Sequence, residues 1–532
     1  LRDGMQGQGM SLSAPEKLRV VHCLDELGIH LIEAGFPSSN PKEAELFELL
    51  AAETLSQAVV CAFGMTRRRG VEAVEDEALR QLADCVAPAS TLVGKTWKLH
   101  LDKVTKVGPD ENLAMIAESV AFLVAAGKRV IYDAEHFFDG YRDDPAYALD
   151  CLRAAAAAGA ENVTLCDTNG SSLPTQVAAA TREAVAALAG SDATLGIHTH
   201  NDAECAVANS LAAVEEGATL VQGTVNGYGE RCGNANLVSI LPALQLKLGH
   251  ECVDPERLAT LTEKAHLVAE LCNLAPDPDQ PYVGRNAFAH KGGMHAAGMS
   301  ADLRTFEHLD PELVGNAREF LVSELSGKGT VLNRAEQAGI DLDEEGARRA
   351  VDKLKDREHR GYHYEAADAS FDLLLRRETG SYEPLFRLES FRVVTEKRED
   401  GRVQTEATIK IWVEGERYLR TAEGNGPVNA LDRALRLAIT DRHPHLADIE
   451  LTNYKVRILD SDHGTGAVTR VLLDSSDGQD EWGSIGVSEN IIEASWEALV
   501  DSLEYAFQPR PRGRAESRAD EPAQAAATPK PR

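Results

Sequence analysis

Arg129-Val130-Ile131-Tyr132-Asp133-Ala134-Glu135 is a short apolar run that carries two carboxylates near its end, and residues 145–158 behind it read as a helix. Asn162-Val163-Thr164-Leu165-Cys166-Asp167-Thr168 then repeats the run, and residues 174–188 repeat the helix. Strand, helix and parallel strand in succession make a βαβ unit, which builds a sheet buried on both faces. The rhythm extends in both directions. Upstream, Ser13 caps a helix over 14–27 that Gly28 stops, followed by a strand at 29–33 and a helix at 40–52. A strand at 58–63, a helix at 74–83, a less regular unit beginning at 85–89 and a helix at 112–126 lead to the quoted stretch. Downstream come a strand at 194–200, a helix at 203–216, a strand at 220–225 and a helix at 236–248. With Leu1-Arg2-Asp3 counted as the end of a first strand, eight units of roughly thirty residues predict an α/β fold, the (β/α)8 TIM barrel. The barrel is expected over residues 1–275. The opening without methionine leads us to expect a truncated first strand, with residues before Leu1 missing from this sequence.

Composition narrows the function classes. At 532 residues the chain can hold more than one core. A formal charge of −30 and a pI near 5.0 argue against nucleic acid as a partner. No apolar run of membrane-spanning length and no secretory leader is present. Nine scattered cysteines, an odd number, read as reduced thiols of a cytoplasmic protein. The glycosylation sequons at Asn162 and Asn169 then read as chance matches.

In a barrel of this kind, chemistry sits at the C-terminal ends of the strands. Asp3, Glu33, Glu135, Thr168, His198, His200 and the loop through Asn234 all fall there. Each alone reads as a loop polar group, but seven on one rim read as a site. His198 and His200 are two apart in Gly196-Ile197-His198-Thr199-His200-Asn201-Asp202, so on a strand both imidazoles face one side. Asp3 could complete a two-nitrogen, one-oxygen set for a divalent cation, with zinc, manganese and magnesium all suitable. Such an ion could chelate the ketone and carboxylate oxygens of a 2-oxoacid, and Arg2 would stabilise the alkoxide that develops. Thr168 can hydrogen-bond the substrate carboxylate, and Asp133 shares a strand face with Glu135. Arg67, Arg68 and Arg69 could meet cofactor phosphates or form a solvated charge run. No nucleophile elbow, P-loop or dinucleotide fingerprint competes.

Beyond the barrel, Ala289-His290-Lys291-Gly292-Gly293-Met294-His295 is a second histidine cluster, either a plain loop or a place where glycines let backbone approach a ligand. Residues 276–380, with charged helices over 331–375, read as a helical connector. From Tyr382 the pattern alternates, as in Ala407-Thr408-Ile409-Lys410-Ile411-Trp412-Val413, a half-buried strand. Gly424-Asn425-Gly426-Pro427 leads into a helix with Val428, Leu431, Leu435 and Ile439 on one face. Strands at 456–459 and 467–473 and a last helix at 490–505 complete an α+β domain over 381–508. Its glycine-rich turn could hold a carboxylate or phosphate, or serve only as a turn. Residues 509–532, rich in proline, alanine and charge, read as disordered.

Arg2-Asp3-Gly4-Met5-Gln6, His198-Thr199-His200-Asn201-Asp202, the segment from Gly227 to Asn236 and the His290 cluster together resemble the alpha-isopropylmalate and homocitrate synthase family, up to about residue 508. Residues 37–42, 132–141 and 321–327 are most similar to its citramalate synthase branch. The resemblance implies that Asp3, His198 and His200 are metal ligands with Asn234 close by, that Arg2 polarises the ketone, and that Thr168 holds the carboxylate. Glu135 and His290 would move protons, His290 arriving from the other subunit of a homodimer. Gly424, Asn425 and Gly426 would mark a regulatory domain answering to an amino acid, isoleucine for this branch. The implied reaction joins acetyl-CoA to pyruvate, giving (R)-citramalate and CoA. The alternatives are 2-isopropylmalate synthase, using 2-oxoisovalerate, a metal-dependent acyl-CoA lyase, or a non-catalytic metal-binding module.

Overall fold

A computed structural model describes residues 1–290, 295, 298, 299, 301–320, 328–459 and 466–509. The chain forms two compact units, Leu1–Phe288 with Leu309–Arg318, and Ala289–His308 with the residues from Glu319 onward. Lys291, Gly292, Gly293 and Met294 of the second histidine cluster, residues 321–327, and the tail beyond Pro509 lie outside the described residues.

The first unit is a curled parallel sheet in the order β1 (Leu31–Gly35), β2 (Val59–Met65), β3 (Ala89–Lys95), β4 (Arg129–Glu135), β5 (Asn162–Asp167), β6 (Thr194–Thr199) and β7 (Leu220–Gln222). Helices follow the strands at Pro41–Leu50, Glu77–Asp84, Pro109–Ala125, Pro145–Ala157, Pro174–Ala187, Ala206–Glu215 and Leu237–Pro242. Local chemistry accounts for their limits. Ser13 and Glu16 form a capping box on helix Ala14–Leu27, and Gly28 ends it with φ 96°. Asp144 caps the helix behind β4 by accepting the N–H of Tyr147. Tyr132, Ala134, Val163, Leu165 and Ile197 are fully enclosed between sheet and helices, as a sheet covered on both faces requires.

Seven strands form, where eight were expected. Leu1–Asp3 is too short for a ladder: Arg2 donates its backbone N–H to Glu33 O at 3.0 Å, and Gly4–Gln6 turns at once into a 3-10 helix. β1 and β7 do not pair with each other among the described residues. A cavity of about 690 Å³ lies beside them, lined by Val20, Leu24, Leu31, Leu220, Leu237 and Ile240 among others. The expected fourth strand begins later than Cys85, at Ala89, because Pro88 cannot join a central ladder. β7 ends at Gln222, short of the expected 225, where Thr224 enters a 3-10 turn.

In the second unit, β8 (Ala289–His290) pairs with β9 (Glu319–Phe320). Helices Lys328–Gln337, Glu344–His359 and Asp368–Thr379 follow. Then come two units of one design: antiparallel β10 (Arg387–Lys397), β11 (Val403–Val413) and β12 (Glu416–Gly424) with helix Pro427–Ile439, and β13 (Glu450–Ile458), β14 (Thr469–Ser476) and β15 (Glu481–Ser488) with helix Ile491–Phe507. Ala407, Ile409, Ile411 and Val413 are buried as the alternation predicts, in one core with Leu431, Leu435, Ile439, Leu499 and Leu503. Val428 is only half-buried. Phe371, Leu374 and Leu375 of the connector helices share a core with Ile485 of β15. No helix among the described residues is long and apolar enough to cross a membrane.

Candidate active site

The ends of β4, β5 and β6 and two loops bring together the charged residues of the first unit. His198 leaves β6 and His200 follows it, both buried. Asp3 reaches the same point from the chain's opening turn. These three offer ligand atoms that all lie within 4.8 Å of one another. His198 Nε2 is 3.1 Å from His200 Nε2 and 3.4 Å from Asp3 Oδ2. Two ring nitrogens at that distance repel if both are bare or both protonated, whereas a cation between them satisfies both. Asn234 donates Nδ2–H to Asp3 Oδ2 at 2.6 Å, while its own Oδ1 and His200 Nδ1 are buried without a hydrogen-bond partner. The donor set therefore fits a divalent ion. Burial pushes the Asp3 carboxyl up, but the charges of His198, Arg2 and His200 and the Asn234 hydrogen bond outweigh it and hold it at about 2. Burial, with His198 beside it, lowers His200 to about 4, so its imidazole is neutral and able to ligate at neutral pH.

Two loops that are remote in sequence are clamped to each other here. Arg231 grips Asp202 through Nε and Nη2 at 2.8 and 2.9 Å and donates to the carbonyl of Thr168 at 2.8 Å. His200 and Asn234 form an isolated antiparallel bridge. Glycine is required at Gly229, where a Cβ would lie 1.9 Å from Asn234 Oδ1, and at Gly233, where φ is 92° and a Cβ would lie 2.1 Å from Gly227 O. This close packing is the physical content of the Gly227-to-Asn236 motif.

Arg2 is aimed by its neighbours. Its Nε donates to Glu33 Oε1 at 2.8 Å, its Nη1 to Asp3 Oδ1 at 3.3 Å, and its guanidinium lies 3.8 Å over the Phe63 ring. Thr168 accepts the backbone N–H of His136 at 2.9 Å on Oγ1, so its hydroxyl proton is left to donate elsewhere. Glu135 at the end of β4 is ion-paired with Lys95, its register partner on β3. Asp133 lies two residues deeper, wholly buried, and accepts Gln222 Nε2–H at 2.7 Å. Burial is the main reason its carboxyl is raised to about 7.

Several members of this site escaped the sequence reading. Lys95 lies past the irregular unit expected from 85–89, and Gln222 falls inside the strand expected at 220–225. His136, in left-handed conformation with φ 57°, binds Asp139 through Nδ1 at 3.1 Å and lies against His100, ring centroids 4.2 Å apart. No period or spacing marks such neighbours, because Lys95 and Gln222 meet Glu135 and His198 across strand ladders, and His100 meets His136 where the segments after β3 and β4 come together. Of the three arginines that could meet cofactor phosphates or form a solvated charge run, Arg67 does neither, being buried against Glu111 and Glu118, whereas Arg68, paired with Asp76, and Arg69 are exposed. Asn162 is buried too, as a chance sequon would be. All nine cysteines are free thiols. His290 belongs to the second unit, where its Nε2 is 3.4 Å from Glu307 Oε1. Gly424 ends β12, and Gly426 caps helix Pro427–Ile439.

Comparison with known proteins agrees with these elements. The HMGL-like family matches residues 1–264, the homocitrate synthase post-HMGL domain-like family residues 282–361, and the LeuA allosteric (dimerisation) domain residues 365–507. The (R)-citramalate synthase of Streptomyces coelicolor is 49% identical, over 95% of this chain and 95% of the relative. That of Synechocystis sp. is also 49% identical, over 96% and 95%. A Methanopyrus kandleri protein named "Probable 2-isopropylmalate synthase" is 33% identical, over 94% and 95%. This chain belongs to the (R)-citramalate synthase family, with an HMGL-like catalytic barrel and a LeuA-type C-terminal domain.

Proposed function

We propose that this enzyme condenses acetyl-CoA with pyruvate to give (R)-citramalate and free CoA. The observation that carries the reading is the convergence of Asp3, His198 and His200 with Arg2 and Thr168 at one end of the sheet. Asp3, His198 and His200, with Asn234 beside them, would hold a divalent zinc, manganese or magnesium ion, which when bound polarises the 2-oxoacid as a Lewis acid. Arg2 directs its guanidinium at the ketone oxygen, where negative charge grows. Thr168 donates its hydroxyl proton to the pyruvate carboxylate. Glu135 takes a proton from the acetyl methyl, and the resulting enolate carbon attacks the ketone carbon. The alkoxide then takes up a proton, and water cleaves the thioester to carboxylate and CoA thiol. His290 is proposed to serve these proton transfers from the second unit, contributed by the other subunit. Holding both substrates in attack geometry supplies much of the rate.

A homodimer is part of the proposal. Leu388 of β10 and Tyr454, Val456 and Ile458 of β13 are large apolar side chains left exposed on edge strands, on the faces that carry buried Ile411, Leu473 and Val471, where a second copy would cover them. Isoleucine is the proposed effector, with Gly424, Asn425 and Gly426 at its site. Free thiols throughout fit a cytoplasmic, reducing compartment.

The deciding experiment measures thiol release from acetyl-CoA across a panel of 2-oxoacids. Pyruvate is expected to be preferred; preference for 2-oxoisovalerate would make the enzyme a 2-isopropylmalate synthase. His200→Ala should lose bound metal and turnover together, and a variant that keeps stoichiometric metal would refute the ligand set.

A further inference from the structure

We propose that Gln222 is a positioning residue that holds His198 as its Nδ1–H tautomer, so that Nε2 is kept as the bare nitrogen for the metal. This inference rests on the metal reading above and concerns a residue that carries no ligand atom itself. Gln222 is the register partner of His198 across β6 and β7, and its Oε1 lies 2.8 Å from His198 Nδ1. An amide can present either end to an imidazole, so the question is which end faces it.

A chain of hydrogen bonds with one fixed terminus answers that. The backbone carbonyl of Glu161 can only accept, and it accepts from Thr194 Oγ1 at 3.2 Å. With its proton committed, Thr194 Oγ1 accepts Asn162 Nδ2–H at 2.8 Å, which turns Asn162 Oδ1 toward Thr164 Oγ1, again at 2.8 Å. Thr164 donates to that oxygen and so can only accept from Gln222, whose Nε2 is 3.4 Å away. Asp133 Oδ1, 2.7 Å from the same Nε2, adds a second acceptor whenever its carboxyl is ionised. Turning the amide over would set Gln222 Oε1 against both oxygens. Gln222 Oε1 therefore faces His198, and His198 Nδ1 must carry the proton. Metal-binding histidines are commonly oriented in this way by a partner on the other ring nitrogen, and loss of such a partner costs about 10- to 100-fold in metal affinity. The same chain accounts for buried Thr164 and Asn162 inside the sheet, where apolar side chains would otherwise pack.

The test compares zinc affinity, by competition with a chromophoric chelator, for the metal-stripped full-length parent, Gln222→Met, Gln222→Glu and His200→Ala. Gln222→Met removes both polar ends at similar volume and should weaken zinc binding about 10- to 100-fold. Gln222→Glu keeps an oxygen facing Nδ1, and its second oxygen, at the place of Nε2, shares one proton with the Asp133 carboxyl; zinc affinity should stay within about threefold of the parent, a rescue that a packing role would not produce. Parent-like affinity in Gln222→Met, or equal losses in both variants, would overturn the proposal. Should Gln222→Met fail to fold, Gln222→Glu decides alone: a loss beyond tenfold refutes. A parent that binds no zinc, or a His200→Ala variant that binds like the parent, would instead refute the metal site itself.

Discussion

Arg2→Lys preserves charge at the site and removes shape. The guanidinium spreads its donors: Nε to Glu33 at 2.8 Å and Nη1 to Asp3 at 3.3 Å, with its flat face on Phe63 at 3.8 Å. That leaves Nη2 to address the developing oxyanion. A lysine has one nitrogen for all of these tasks and no flat face for the ring. Its strongest remaining partner is the Glu33 carboxylate, which draws the ammonium away from the ketone. Keeping that ion pair offers little compensation, because a pair whose side chains are only 17% and 19% exposed loses to desolvation much of what it gains in attraction. Loss of one preorganised donor to an oxyanion costs about 2.7–4 kcal/mol. At about 1.4 kcal/mol per decade, kcat should fall about 100- to 1000-fold. The assay is thiol release under saturating acetyl-CoA and pyruvate. A turnover within about fivefold of the parent would refute the reasoning, and a raised KM with unchanged kcat would move Arg2 from the chemical step to ground-state binding.

Other outcomes follow from single contacts. Burial pushes Asp25 up, but the N–H groups of Ala58, Gln57 and Ser56 that it accepts hold its carboxyl at about 2. Its folded value is depressed, so its stabilisation is present above the unfolded value near 3.8 and lost as pH falls through about 2. Asp25→Asn should cost about 1–2 kcal/mol at pH 7 after discounting for solvent, and the gap to the parent should narrow in unfolding curves taken below about pH 4. A gap independent of pH would contradict this. At the C-terminal turn, a Cβ on Gly424 would lie 2.5 Å from Ala430 N, while one on Gly426 meets nothing within 4 Å. Gly424→Ala should therefore lower the melting temperature and weaken isoleucine inhibition, and Gly426→Ala should match the parent in melting temperature. Equal inhibition curves for parent and Gly424→Ala would remove the turn from the effector site. Deleting the whole region from residue 381 is a poorer test, because Ile485 shares a core with Phe371 and Leu375.

The sequence alone determined what depends on local repetition. The period of apolar strands and helices carried the parallel architecture, since a βαβ unit buries its strands wherever it occurs, and alternation around Ile409 and Ile411 marked the C-terminal sheet. The spacing of His198 and His200 puts both imidazoles on one strand face. Strand ends were less legible: Pro88 delayed β3 until Ala89, and Thr224 turned away from the ladder after Gln222. Three residues at the opening could not be told from a strand. Contacts between strands are set by the fold. Gln222 meets His198 because β7 lies beside β6, and it meets Asp133 because the sheet curls. Lys95 pairs with Glu135 across a ladder, and Arg231 finds Asp202 through two folded loops. A hydrogen bond between residues 89 positions apart leaves no period in a sequence. Its energy depends on a distance and an angle that exist only once the sheet has closed around them.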